Sequence, residues 1–102
     1  MPFLLIAYDH PTAYERRLTS RQAHIDFIDV LRDQGKAVMG AALIDDHGKM
    51  IGSTLFLDMN QDELDNYLKT EPYLINQVWD KIEIKACNIG PSFLKKLAPG
   101  GF

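Results

Sequence analysis

The chain has 102 residues, 46% of them hydrophobic and 25% charged, the proportions of one folded domain rather than of a disordered segment. A net charge of −3 and a pI near 5.5 remove any general electrostatic pull toward phosphate backbones or anionic lipid, so neither nucleic acid nor a membrane is an expected partner. A single cysteine, Cys87, excludes an internal disulfide framework and suits a reducing compartment.

The first apolar run, Phe3-Leu4-Leu5-Ile6-Ala7-Tyr8, reads as a strand buried on both faces and stopped at Asp9-His10-Pro11. It is far shorter than a membrane span and lacks the basic start and cleavage site of a signal peptide, so the expected location is cytoplasmic. Residues 9–18 read as a charged loop carrying Arg16 and Arg17. Thr19, with Gln22 three residues on, offers a capping box for a first helix. Ala23, Phe27, Val30 and Leu31 recur at helical spacing as its inward stripe, with Asp26, Asp29, Arg32 and Asp33 outward. Gly35 ends it.

Ala37–Ile44 and Met50–Leu57 flank the polar turn Asp45-Asp46-His47-Gly48-Lys49 and read as a hairpin. A second helix is expected from an Asn60 cap, with Glu63 closing the capping box and Met59 and Leu64 a hydrophobic staple. Leu64, Tyr67 and Leu68 form its buried stripe, and Thr70-Glu71-Pro72-Tyr73 breaks it, because the residue before proline is pushed out of helical geometry. A last strand over about 79–87 alternates Ile82, Ile84 and Ala86 against Lys81, Glu83 and Lys85, as at a sheet edge. Cys87, at its end, reads as a half-buried small hydrophobe. Residues 1–90 form the domain, and 91–102 read as a tail with at most a helical turn around 92–97.

The order βαββαβ predicts a ferredoxin-like α+β domain: a four-stranded antiparallel sheet with two helices on one face. Two helices cover one face only, so an apolar central strand calls for a cover on the other. Pairing of two sheets in a homodimer is the economical answer.

Tyr8-Asp9, Arg16 or Arg17, Arg21-Gln22-Ala23-His24, Gly35, Asp46-His47-Gly48, Gly52-Ser53-Thr54 and Glu71-Pro72-Tyr73 follow one another in an order and spacing that resembles the YCII-related family of dimeric α+β barrel proteins. The resemblance spans roughly residues 3–86. It implies a small-molecule pocket near the dimer interface, served by a histidine on the first helix and an acid before Pro-Tyr. Those positions are His24 and Glu71. The chain departs from the family pattern in having glutamate rather than aspartate at 71, Gln77 where a glycine is usual, and Gly40-Ala41-Ala42 in place of Ala-Gly-Pro. The implied chemistry is isomerisation, lactone conversion or elimination from a ring compound, such as dehydrochlorination of a chlorinated hydroxyquinol.

His24 lies four residues before Ile28 and seven before Leu31, so it shares part of their inward face. An imidazole titrates near neutrality and, with a carboxylate fixing its tautomer, can move a proton at a ligand; the alternative is a structural histidine at a sheet–helix junction. Glu71 is either that orienting carboxylate or a solvent-facing acid after a helix. Asp9, at a strand end, is either a second candidate for orienting His24 or a turn acid before Pro11. Arg16, Arg17 and Arg21 are candidates to receive a carboxylate or phenolate, against the reading of solvated charges. Tyr8, Tyr73 and Trp79 can wall an aromatic-sized pocket or simply fill core. Gly52 and Ser53 interrupt a bulky strand, as a close ligand or a β-bulge would require. No phosphate loop, Cys/His cluster or nucleophile elbow is present, so no cofactor or metal is expected. The expectation is thus an acid–base enzyme on a small molecule, the rival being a non-catalytic dimer that binds a ligand or protein partner.

Overall fold

The computed structural model describes residues 2–93. Strand β1 (Phe3–Asp9) is followed by helix α1 (Tyr14–Asp33), the hairpin β2 (Ala37–Ile44) and β3 (Met50–Leu57), helix α2 (Gln61–Thr70), a one-turn helix α3 (Pro72–Ile75) and strand β4 (Trp79–Ala86). The strands form one antiparallel sheet in the order β2-β3-β1-β4. This is the expected ferredoxin-like α+β arrangement, with α3 as an addition that the sequence pattern did not foretell.

The hairpin forms at its expected bounds because the turn satisfies itself. Asp45 Oδ1 accepts from the backbone N–H of His47 and Lys49 at 2.8 and 3.0 Å, and Gly48 takes a φ of 79°. The Asn60–Glu63 capping box is present in both directions, at 2.9 and 3.0 Å, and Met59 and Leu64 are both buried beside it. Asn60 and Lys36, a bonded partner, hold the Glu63 carboxyl below its ordinary pKa, the cap's backbone N–H acting first. At the end of α1, Gly35 has a φ of 76°; its N–H bonds Arg32 O and that of Lys36 bonds Leu31 O, the paired bonds of a Schellman ending.

Helix α1 corrects two expectations. It begins at Tyr14, not after Thr19, so Arg16 and Arg17 lie on the helix rather than in a loop. Ala13 occupies the cap position without a side-chain bond, and the added turn is held from outside, by the bonds of Arg16 and Arg17 to other segments. Thr19, inside the helix, bonds back to the carbonyls of Glu15 and Arg16, both at 3.2 Å. Tertiary bonds outweigh the local capping signal here. The inward stripe also differs. Phe27 and Leu31 pack on the core as expected, but Ala23 and Val30 are exposed, while Arg17 and Ser20 are buried. Polar residues occupy inward positions of this helix because it roofs a cleft rather than sealing an oily layer.

Phe3, Leu5 and Ala7 of β1 are buried under the helices with Leu55, Leu57, Leu64, Tyr67, Tyr73, Val78 and Trp79. Burial of each large apolar side chain contributes roughly 1.5–3 kcal/mol. Leu4 and Ile6, on the opposite face, are only half-buried and Tyr8 is exposed, so β1 is not buried on both faces within one chain. Strand β4 is an edge, with Ile82 and Ile84 against the core and Lys81, Glu83 and Lys85 exposed. Ala86, expected inward, is exposed because it closes the strand where the sheet runs out. Cys87 follows, half-buried and free. Residues 91–93 are helical; the remainder of the expected tail lies outside the described residues.

Candidate functional site

The break between α2 and α3 sets the position of Glu71. As the residue before Pro72 it is extended (φ −62°, ψ 121°), ends one helix and caps the next, and its side chain turns inward with no solvent exposure. The solvent-facing alternative is therefore wrong. Its carboxylate accepts from the Tyr67 hydroxyl at 2.7 Å and the Tyr73 backbone N–H at 3.2 Å, and meets His24 Nδ1 at 2.5 Å. Both oxygens of this buried carboxylate thus have hydrogen-bond partners.

The imidazole of His24 is held in plane as well as in direction. It stacks flat on Tyr73, with centroids 4.0 Å and planes 5° apart, and meets Trp79 edge-on at 6.0 Å. With Nδ1 engaged by Glu71, Nε2 is the nitrogen left for a ligand. Asn76 Nδ2 donates to Ser20 Oγ at 3.0 Å and ties α3 to α1, the two elements that carry the pair.

Beside it stands a second buried cluster. Arg17, 3% exposed, donates from Nε to Asp9 Oδ2 at 2.7 Å and from Nη2 to both Gly52 O and Ser53 Oγ at 2.6 Å. Its guanidinium lies 4.8 Å from the centroid of the Tyr73 ring. Trp79 Nε1 donates to the same Ser53 oxygen at 3.3 Å. Burial foremost pushes the Tyr73 phenol above its ordinary pKa, so it is neutral at physiological pH. Glycine at 52 is required by packing: a Cβ there would collide with the carbonyl oxygen of Ala7 on β1.

The two clusters border one cleft of about 360 Å³ between α1 and strands β2 and β3. Its polar wall is Arg17, Arg21, His24, Asp29, Arg32, Ser53 and Tyr73; Ile25, Ile28, Met50 and Leu55 make it apolar elsewhere, and the small side chains of Gly40-Ala41-Ala42 leave it room. That size and mixture suit a small organic molecule. No group of three or more His, Cys, Asp or Glu capable of holding a metal ion occurs among the described residues.

Of the residues singled out in the sequence, His24, Arg17, Arg21, Ser53 and Tyr73 line this cleft, and Glu71 stands directly behind His24. Asp9 is bonded to Arg17 rather than to His24, so Glu71 alone of the two acids orients the imidazole. Arg16 is spent on Gln77 O at 2.9 and 3.2 Å, and Tyr8 is on the uncovered sheet face; the structure brings neither into the cleft. Tyr67 is marked by the apolar pattern only as part of the buried stripe of α2. Its spacing of four from Glu71 on a helix, together with the need of a buried phenol for a hydrogen-bond partner, was the signal available.

A ferredoxin-like domain with a buried carboxylate–imidazole pair behind a small cleft defines the class of protein. The chain belongs to the YCII-related family, whose model matches residues 1–88. Among solved structures it is similar to 5-chloro-2-hydroxyhydroquinone dehydrochlorinase (TftG) from Burkholderia phenoliruptrix AC1100, in complex with 2,5-dihydroxybenzoquinone; the TM-score is 0.78 at 20% identity, over 90% of this chain and 98% of that one. It is also similar to Rv0793 from Mycobacterium tuberculosis, with a TM-score of 0.56 at 14% identity over 89% and 99% of the chains. At such identities the likeness establishes the fold. No curated protein matches the chain in sequence, and no described helix is long and apolar enough to cross a membrane.

Proposed function

We propose that the protein is a small-molecule acid–base enzyme in which His24 moves a proton at a ligand held in the cleft. The observation that carries this reading is the bond from the buried Glu71 carboxylate to His24 Nδ1, which leaves Nε2 beside a cleft of ligand size. An ionised Glu71 places the imidazole proton on Nδ1, so Nε2 acts as general base and returns the proton in a later step. Negative charge then builds on a ligand oxygen. Ser53 is suited to receive it: its oxygen already accepts from Arg17 and Trp79, so its own proton is the one it has left to give. Arg17, paired with Asp9, supplies fixed positive charge behind that hydroxyl, and Arg21 stands in the cleft wall for a carboxylate or phenolate.

The reaction class is isomerisation, lactone conversion or elimination from a hydroxylated ring, in keeping with the dehydrochlorinase among the similar structures. The working unit is a homodimer in the cytoplasm, joined through the sheet face that the helices leave uncovered. No cofactor enters this scheme.

The test is chloride release from 5-chloro-2-hydroxyhydroquinone, and conversion of small hydroxyquinones and lactones, by wild type and by His24→Ala. Wild type is expected to turn over at least one, and His24→Ala to lose about 10²–10⁴-fold while keeping its circular dichroism spectrum. Binding of 2,5-dihydroxybenzoquinone without turnover of any substrate would instead favour the non-catalytic, ligand-binding reading.

A further inference from the structure

Glu71 Oε1 and Oε2 are served very differently. Oε1 meets both His24 Nδ1 and the Tyr73 N–H, whereas Oε2 accepts from the Tyr67 hydroxyl. Tyr67 comes from α2, packs its ring 5.8 Å from that of Phe27, and is 2% exposed. It does not border the cleft. The other charged or titratable groups in the cleft wall that His24 shares are Arg17, Arg21, Asp29 and Arg32 of its own helix and Tyr73 of α3, with Asp9 of β1 bonded to Arg17. None of these is bonded to Oε2, which accepts from Tyr67.

We propose that Tyr67 is a positioning residue of the His24 site, its hydroxyl holding the Glu71 carboxylate charged and aligned so that the imidazole proton stays on Nδ1 and the Nε2 lone pair faces the cleft. The inference rests on the reading of His24 as a general base. The reasoning is one of hydrogen-bond accounting. A carboxylate oxygen buried without a donor is costly, and the response that costs least is to neutralise the group. The proton nearest at hand is the one on His24 Nδ1, across a 2.5 Å contact. If it passes to Glu71, Nε2 takes up a replacement proton from water in the cleft, so that the pair gains one proton in all and the imidazole has no lone pair to offer a ligand. The Tyr67 hydroxyl prevents this by occupying Oε2. It has a proton to give throughout the working pH range, because burial and the neighbouring Glu71 charge both push its pKa upward.

The experiment uses the full ¹⁵N-labelled chain at neutral pH and long-range ¹H–¹⁵N spectra of the imidazoles, with His24 identified by loss of its signals in His24→Ala. Wild type is expected to show His24 with a protonated Nδ1 and a lone-pair Nε2. Tyr67→Phe keeps the ring and removes only the hydroxyl. Its His24 Nε2 signal is expected to move toward the protonated position, while those of His10 and His47 stay in place. A merely structural tyrosine would lower the melting temperature and leave the tautomer alone, so a folded Tyr67→Phe with unchanged His24 signals overturns the proposal. Should Tyr67→Phe not fold, 3-fluorotyrosine at 67 serves instead. It retains a hydroxyl that donates more strongly, and the Nδ1 proton resonance should move upfield as the carboxylate pulls on it less; an unmoved resonance overturns the proposal equally. The readout needs no substrate. Absence of turnover alongside a changed tautomer removes the enzymatic reading and leaves the positioning role, whereas turnover alongside an unchanged tautomer removes the positioning role alone.

Discussion

Single residues in this protein carry costs that adjacent residues justify. Gln77 has a φ of 58°, in the left-handed region that a side chain makes unfavourable and that glycine enters freely. The backbone is held there by its neighbours: Arg16 donates twice to the Gln77 carbonyl, and Val78 N–H bonds Tyr73 O to close the turn into β4. None of those bonds uses the Gln77 side chain. Gln77→Gly therefore keeps every one of them and removes the steric strain. After the greater chain entropy of glycine is set against it, a gain of up to about 1 kcal/mol is expected, read as a raised melting temperature. An unchanged or lowered melting temperature would mean that the Gln77 side chain stabilises the turn in a way that its exposed position does not indicate.

At the scale of elements, α1 and α2 are specified differently. Helix α2 is written locally: Asn60, Glu63, Met59 and Leu64 suffice to start it, and Glu71-Pro72 to end it. Asn60→Ala should accordingly cost about 1 kcal/mol, the usual value of a side-chain cap, measurable as a shift of the urea midpoint without change of slope. Helix α1 is written by the rest of the fold. Its first turn has no side-chain cap, and its inward residues include Arg17, Ser20 and His24, which give no amphipathic signature. They face inward because β1 and β3 supply Asp9, the Gly52 carbonyl and Ser53 as partners, and the α2–α3 break supplies Glu71. A hydrophobic pattern therefore located the helix but misplaced its start and its stripe.

At the scale of the whole molecule, the helices leave one face of the sheet uncovered, and register places Leu4, Ile6 and Tyr8 there with Phe56 and Met39. Tyr8 and Met39 are 44% and 52% exposed. The proposed homodimer buries this face. Native mass spectrometry of wild type should give twice the chain mass, and Ile6→Glu, which points away from the core, should give one chain mass with helix and sheet content retained. A wild type of single chain mass would remove the dimer from the proposal. The amino-acid sequence by itself determined the strand and helix order, the hairpin, the Asn60 cap and the Gly35 ending, because each depends on residues within a few positions of one another. It also marked His24, Glu71, Ser53 and Tyr73 through a family spacing. Only the tertiary structure decided that Glu71 rather than Asp9 meets His24, that Arg17 is buried while Arg16 is spent on a loop carbonyl, and that Tyr67 stands behind the pair. The bonds of His24 to Glu71, Arg16 to Gln77 and Arg17 to Ser53 join segments tens of residues apart, where sheet register and the seating of α1 choose the partner and no local periodicity records the choice; Tyr67 is only four residues from Glu71, but its place behind the pair follows from that same inward turn of Glu71.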